Sequence, residues 1–161
     1  MDLTARRISL AALPAYPPSG ADGRIKQLLI ARALAVRKKI PQLFSTGQYR
    51  PVEIVGASAD NVVGFARVLR DCAAITLFYR FTAQLLGSET LNMSSLCDKG
   101  TRLLMPRELQ GTFADALLAD ELVSIGPEVD LGQIFRRLPV ALLIKAPDNR
   151  PPQHFEELVY K

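Results

Sequence analysis

The acidic side chains are the first candidates for chemistry, because two carboxylates can act together as general acid and general base. The chain has 16 Asp and Glu residues, and two adjacent pairs stand out, Asp120–Glu121 and Glu156–Glu157. Neighbouring side chains face opposite sides of a strand and diverge on a helix, so neither pair brings its carboxylates together. We expect structural or solvated roles for both pairs and assign no catalytic residue.

Nucleophiles and metal ligands are equally sparse. His154 is the sole histidine and lies in a proline-rich tail, and Ser94–Ser95 has no recognisable base nearby. The two cysteines, Cys72 and Cys97, are too few and too far apart for a disulfide framework or a metal site. The isolated glycines form no phosphate-binding loop. The sequence therefore predicts no metal and no cofactor.

Positive charge is concentrated early in a chain whose net charge is +4. No acidic residue lies between Gly23 and Val52, and the basic residues there are Arg24, Lys26, Arg32, Arg37, Lys38, Lys39 and Arg50. Such a patch can attract phosphate or an acidic surface, or it can be a solvated helix face or one packed against an acidic partner. Since no aromatic side chains are interleaved with the charges, nucleic-acid binding is not favoured.

The N-terminal part of the chain, which carries these basic side chains, is predicted to be helical. Residues 2–13 have helical character, and Asp22 can cap a helix from Gly23 to about Ile40, which Pro41 ends. With successive residues 100° apart around the helix axis, five apolar residues share one predicted buried face, namely Ile25, Leu29, Ala33, Val36 and Ile40.

Short strands with turn residues between them follow the helix. We interpret Gly47–Pro51 as a turn. Asn61–Leu69 and Ala73–Phe81 are predicted to form a hairpin with its corner at Arg70–Asp71. Within the hairpin, Val63 and Phe65 are expected to face the core. Further strands are expected at Val52–Val55, Thr101–Met105, Gly111–Leu117, Glu121–Ile125 and Pro139–Ile144, with a helix at Leu131–Leu138 capped by Asp130.

The predicted fold class is mixed but mainly β, with an N-terminal helical segment followed by an antiparallel, sandwich-like C-terminal domain. No apolar run is long enough to span a bilayer, and the proline-rich stretch after Leu13 does not fit a signal peptide. We expect a cytoplasmic protein with no membrane partner.

Several segments, which follow one another in the expected order, resemble the C-terminal region of maltooligosyltrehalose synthases. These are α-amylase-like enzymes. The segments are Asp22–Lys26 with the helix after it, Pro41–Phe44, Gly47–Pro51, Asn61–Arg67, Gly100–Pro106 and Leu138–Leu143. The chain differs from that family in having no tryptophan, with Leu96 and Phe113 near places where the family usually has aromatic residues.

The resemblance implies a division into residues 1–40, the end of a catalytic (β/α)8 barrel, and residues 41–161, a C-terminal β domain. The parent enzyme would convert the reducing-end α-1,4 linkage of a maltooligosaccharide to α,α-1,1, as in trehalose biosynthesis. A barrel takes about 250 residues, so the catalytic carboxylates would lie elsewhere and this chain alone would be inactive. Its partner would be that barrel, through which alone it would meet maltooligosaccharide.

The resemblance also places Asp22, Arg24 and Lys26 in a loop after the last barrel strand, where they could bind a glucose hydroxyl. The alternative is that Asp22 caps the helix while Arg24 and Lys26 are solvated. Two other functions stay open, an independent carbohydrate-binding module and a basic protein-interaction domain. In isolation the chain is expected to expose apolar surface and to self-associate.

Overall fold

The computed structural model describes residues 24–81, 100–118 and 121–145. Its longest helix, α1 (Arg24–Lys39), agrees to within a residue at each end with the predicted helix. A short helix α2 (Pro41–Ser45) follows at once with Pro41 in its first turn, where the missing N–H costs nothing. The predicted helix at residues 2–13 lies outside the described residues. No helix in the described ranges is long and apolar enough to cross a bilayer.

Within the described ranges, nine strands form two antiparallel sheets. The six-stranded sheet has, in spatial order, β1 (Gln48–Pro51), β3 (Val62–Leu69), β4 (Cys72–Tyr79), β9 (Val140–Lys145), β6 (Gly111–Asp115) and β7 (Glu121–Ile125). The three-stranded sheet has β2 (Glu53–Val55), β5 (Arg102–Leu104) and β8 (Glu128–Asp130). The mainly β, antiparallel fold class is therefore confirmed.

The hairpin of β3 and β4 forms as predicted. Leu69 pairs with Cys72, so Arg70 and Asp71 make a two-residue connection, and Arg70 takes a left-handed φ of 53°. Asp130 also caps its helix as predicted, because its Oδ1 accepts the Gly132 N–H at 2.8 Å. That helix, α3 (Leu131–Ile134), is shorter than predicted.

The six-stranded sheet is covered on both faces. In β9 successive buried residues alternate between two clusters: Ala141 and Leu143 belong to the core shared with the three-stranded sheet, and Leu142 and Ile144 belong to a cluster shared with α1 and α2. A strand covered on both faces needs an almost continuous apolar run, which β9 has. The architecture thus has three layers: helices, the six-stranded sheet and the three-stranded sheet.

The two clusters differ in depth. The sandwich core contains Phe113, Leu103, Leu109, Ile75, Leu77 and Leu143, all fully buried. Among the helix residues whose burial is described, only Val36 and Leu43 in this layer are buried. The other contributing residues are partly buried, namely Ile25, Leu28, Leu29, Ala33, Ile40 and Phe44.

Two local predictions were wrong. Gln48–Pro51 is not a turn but the edge strand β1, with all four residues exposed, and a sheet edge tolerates the missing N–H of Pro51. Val63 and Phe65 do not face the sandwich core, which takes Val62 and Ala66 from β3 instead. In β3 the smaller residues thus face inward, because the pairing of Ala66 with Ile75 fixes the register.

Candidate functional site

The described structure includes two of the three residues predicted to bind sugar, Arg24 and Lys26. Asp22 lies outside the described residues, and Arg24 is the first residue of α1. Lys26 is exposed in the first turn of the same helix. The structure therefore does not bring the three together into a described site, and their role stays a prediction.

The basic residues of α1 divide into two groups. Arg32 turns inward, and its Nη1 donates to the carbonyl of Leu117 at 2.7 Å. Arg37 and Lys38 lie in the last turn and are exposed, where their charge also suits the negative end of the helix dipole. Helix α1 thus uses Arg32 internally and presents Lys26, Arg37 and Lys38 to solvent.

The outward side of α1 is also apolar at its centre. Ile30 is 49% exposed and Leu34 is 58% exposed, although both are large hydrophobic residues. With Lys26 and Lys38 they form a row spaced four residues apart, which places them along one side of the helix. We call Lys26, Ile30, Leu34 and Lys38 the outer row.

One buried carboxylate has an unusual environment. Asp115, at the end of β6, is only 1% exposed. Burial raises the pKa of its carboxyl to about 6, against the lowering effect of backbone N–H groups of Leu117, Leu142 and Leu118. The neighbouring carboxylate of Glu121, which pairs with Asp115 across β6 and β7, raises that pKa further.

The contacts of Asp115 give it a structural role. Its Oδ1 accepts the Leu117 N–H at 2.9 Å, which shapes the turn after β6. The same Leu117 accepts the Arg32 hydrogen bond, so this turn connects the sheet to α1. Glu121 lies 3.8 Å from both Arg136 and Arg137. A strand that ends in Asp before a short turn is the sequence signal for this group, and the predictions above did not include it.

The other chemical candidates that the structure describes do not assemble into a centre. Cys72 begins β4 and is half-buried beside the helical-layer cluster. Within the described ranges, no three His, Cys, Asp or Glu residues come together in a way that could hold a metal ion. Cys97, Ser94–Ser95, Asp120, His154 and Glu156–Glu157 lie outside those ranges.

The aromatic residues divide between core and surface. Phe113, which stands where the resembling family has an aromatic residue, is fully buried and unable to stack on a sugar. Tyr49 on β1 is 53% exposed and stacks on Phe65 with ring centroids 5.6 Å apart. Phe81, just after β4, is 58% exposed.

Comparison with known proteins gives two matches from Mycobacterium tuberculosis strains. Each is named "Putative maltooligosyl trehalose synthase" and is 30% identical over 145 residues, or 90% of this chain. Those residues are only 16% of each relative, so the chain spans about a sixth of the length of the curated relatives it matches. No family model and no solved structure matches the chain. The chain is therefore similar to one region of these proteins.

Proposed function

We propose that this chain is the C-terminal, non-catalytic portion of a maltooligosyltrehalose synthase. The observation that carries the proposal is the similarity that extends over 90% of this chain but over only 16% of each relative. A segment of that size in a much larger enzyme fits an accessory domain better than a catalytic barrel, which needs about 250 residues.

The described carboxylates support a non-catalytic role. Retaining glycosyl transfer needs two carboxylates about 5 Å apart that reach the substrate. Asp115 has the raised pKa expected of an acid catalyst, but it is 1% exposed and its oxygen is occupied by a backbone N–H. Its neighbour Glu121 lies beside two arginines. We assign this pair to the turn that holds α1.

In this proposal residues 1–40 belong to the end of the barrel and residues 41–161 form the β domain that stabilises it. Maltooligosaccharide meets the protein through the barrel, with Asp22, Arg24 and Lys26 as its nearest residues in this chain. The reaction, a conversion of the reducing-end α-1,4 linkage to α,α-1,1 in the cytoplasm, belongs to the parent enzyme.

Grafting tests this proposal directly. The matched 145 residues of a Mycobacterium tuberculosis relative are replaced by the corresponding residues of this chain, and maltopentaose is supplied. We expect the chimaera to form trehalose-capped product at a rate near that of the relative, and the isolated chain to form none. An inactive chimaera beside an active relative, or turnover by the isolated chain, would contradict the proposal.

A carbohydrate-binding module is the second candidate, favoured by the exposure of Tyr49 and Phe81. Aromatic rings provide large, rigid contact surfaces at low entropic cost. Retention of the isolated chain on immobilised amylose, lost in Tyr49→Ala and in Phe81→Ala, would favour this function. Elution with the void volume would exclude it.

A further inference from the structure

The central section of α1 is apolar on two opposite sides. Between Leu28 and Val36 the only polar residue is Arg32, and Arg32 points inward to the Leu117 carbonyl. The outward surface of this section is therefore formed by apolar residues, with Ile30 and Leu34 the largest. A helix that is apolar on both sides is suited to lie between two layers, and the described residues supply only one of them.

The outer row has the composition of an interface, with an apolar centre and a charged rim. Ile30 and Leu34 lie between Lys26 and Lys38, which are also exposed. Lys26 and Lys38 are twelve residues apart, and at about 1.5 Å of rise per residue they lie about 18 Å apart along the helix axis. Protein interfaces commonly combine a desolvated apolar centre with a polar rim.

The charges of the outer row disfavour a second copy of this chain as its occupant. With a lysine at each end, parallel and antiparallel pairings of two such rows both bring lysine against lysine. Helix α1 has no acidic residue to offset that repulsion. Like charges across an interface oppose association, so the charge of the row favours an occupant of opposite charge over a second copy.

We infer that the outer row of α1 docks into an apolar groove with an acidic group at each end, on the portion of the parent enzyme that lies outside the matched region. This inference rests on the proposed function. That portion is the larger part of each relative, since the match covers only 16% of it. A helix set into a groove is a common mode of recognition, read by residues one turn apart.

The chimaera described above provides the test, with Leu34→Lys as the variant. Leu122 on β7 is 50% exposed and lies outside the outer row, so Leu122→Lys is the matched control. Leu34→Lys should shorten the half-life of product formation at a fixed elevated temperature by about tenfold, because a desolvated interface residue is lost. Leu122→Lys should change it by less than about twofold.

Each remaining outcome counts for or against the inference. In the isolated chain, Leu34→Lys should leave the unfolding midpoint unchanged, and an equal loss there would show that Leu34 acts within this chain. An active chimaera indifferent to Leu34→Lys would overturn the docking while leaving the proposed function intact. An inactive wild-type chimaera beside an active relative would overturn both.

Other occupants are distinguished with the isolated chain. Sedimentation that shows a dimer abolished by Leu34→Lys would assign the outer row to a second copy and overturn the inference. Binding to phosphatidylserine–phosphatidylcholine vesicles that is lost in Leu34→Lys would assign it to an anionic membrane surface, again overturning it. In the chimaera, Lys38→Glu should reproduce the shorter half-life in part, as expected for an acidic group at that end of the groove.

Discussion

The two faces of the six-stranded sheet carry layers of unequal completeness. On one face the three-stranded sheet closes a core whose large side chains, such as Phe113 and Leu103, are fully buried. On the other face α1 and α2 contribute mostly partly buried residues, and α1 keeps Ile30 and Leu34 exposed on its far side. The described residues thus close the sandwich core but leave the outer side of α1 exposed. The docking that we propose uses this exposed side.

The largest loss of stability is expected when a side chain is removed from the closed sandwich core. Phe113→Ala removes a ring that is 0% exposed, and such truncations cost about 3–5 kcal/mol of unfolding free energy. Urea unfolding followed by circular dichroism measures this loss. Leu122→Ala, on the neighbouring strand but 50% exposed, should cost less than about 1 kcal/mol. Equal losses in the two variants would refute the contrast between core and surface.

The Asp115 turn, which connects the two layers, should give a pH-dependent contribution. Since burial raises the pKa of Asp115 from 3.8 to about 6, the folded state holds more protons than the unfolded state between these values. Its stabilising contribution is full below pH about 4 and is lost as pH rises through about 6. Two pKa units correspond to a swing on the order of 3 kcal/mol.

Asp115→Asn isolates that contribution. The variant keeps an oxygen that can accept the Leu117 N–H but does not titrate. Its stability relative to wild type, measured by urea unfolding, should be greatest above pH 7 and should fall steadily between pH 7 and 4. A difference that stays constant over this range would show that Asp115 does not titrate with a raised pKa.

Gly64 tests how tightly the sandwich side is packed. A Cβ at this position would lie 2.5 Å from Val52 Cγ2 and 2.6 Å from Leu77 Cδ2. Because Leu77 is fully buried, it has little freedom to move, and Gly64→Ala should cost about 1–3 kcal/mol in a denaturant titration. Gly126→Ala is the control, since its nearest neighbour would lie 3.8 Å away. Unchanged stability in Gly64→Ala would mean that the two-layer core can expand.

The smallest effect concerns the attachment of the helical layer. Arg32→Met keeps much of the side-chain length but leaves the Leu117 carbonyl without its 2.7 Å partner. We expect a loss of about 1–2 kcal/mol in thermal or urea unfolding. Arg37→Met, on the exposed side of α1, should stay within about 0.5 kcal/mol of wild type. If both variants behave alike, the Arg32 hydrogen bond does not hold α1.

Much of the fold could be predicted because local chemistry and tertiary packing agree. The proline at position 41 limits α1, the Arg70–Asp71 corner fixes the β3–β4 hairpin, and the apolar run of β9 predicts a buried strand. The missed elements are those that depend on partners distant in sequence. The edge strand β1 contains a proline and gains its structure from pairing with β3, and β8 has only three residues paired with β5.

The candidate surface was harder to predict than the fold. The periodicity of α1 predicts its buried face through Val36 and its neighbours, but the exposure of Ile30 and Leu34 that defines the outer row depends on tertiary packing. The inward turn of Arg32 is a similar case, because its partner Leu117 is 85 positions away. Sequence spacing predicts which residues share a helix face, and only the packing decides which face stays open.

Hydrogen exchange of α1 amides tests most directly whether the helical layer is completed by another part of the enzyme. The isolated chain and the chimaera are compared by mass spectrometry, with β4 and β9 as internal references. We expect exchange in Arg24–Lys39 to slow by at least about tenfold in the chimaera, while β4 and β9 exchange equally slowly in both. Equal exchange of α1 in the two proteins would contradict a further layer on its outer side.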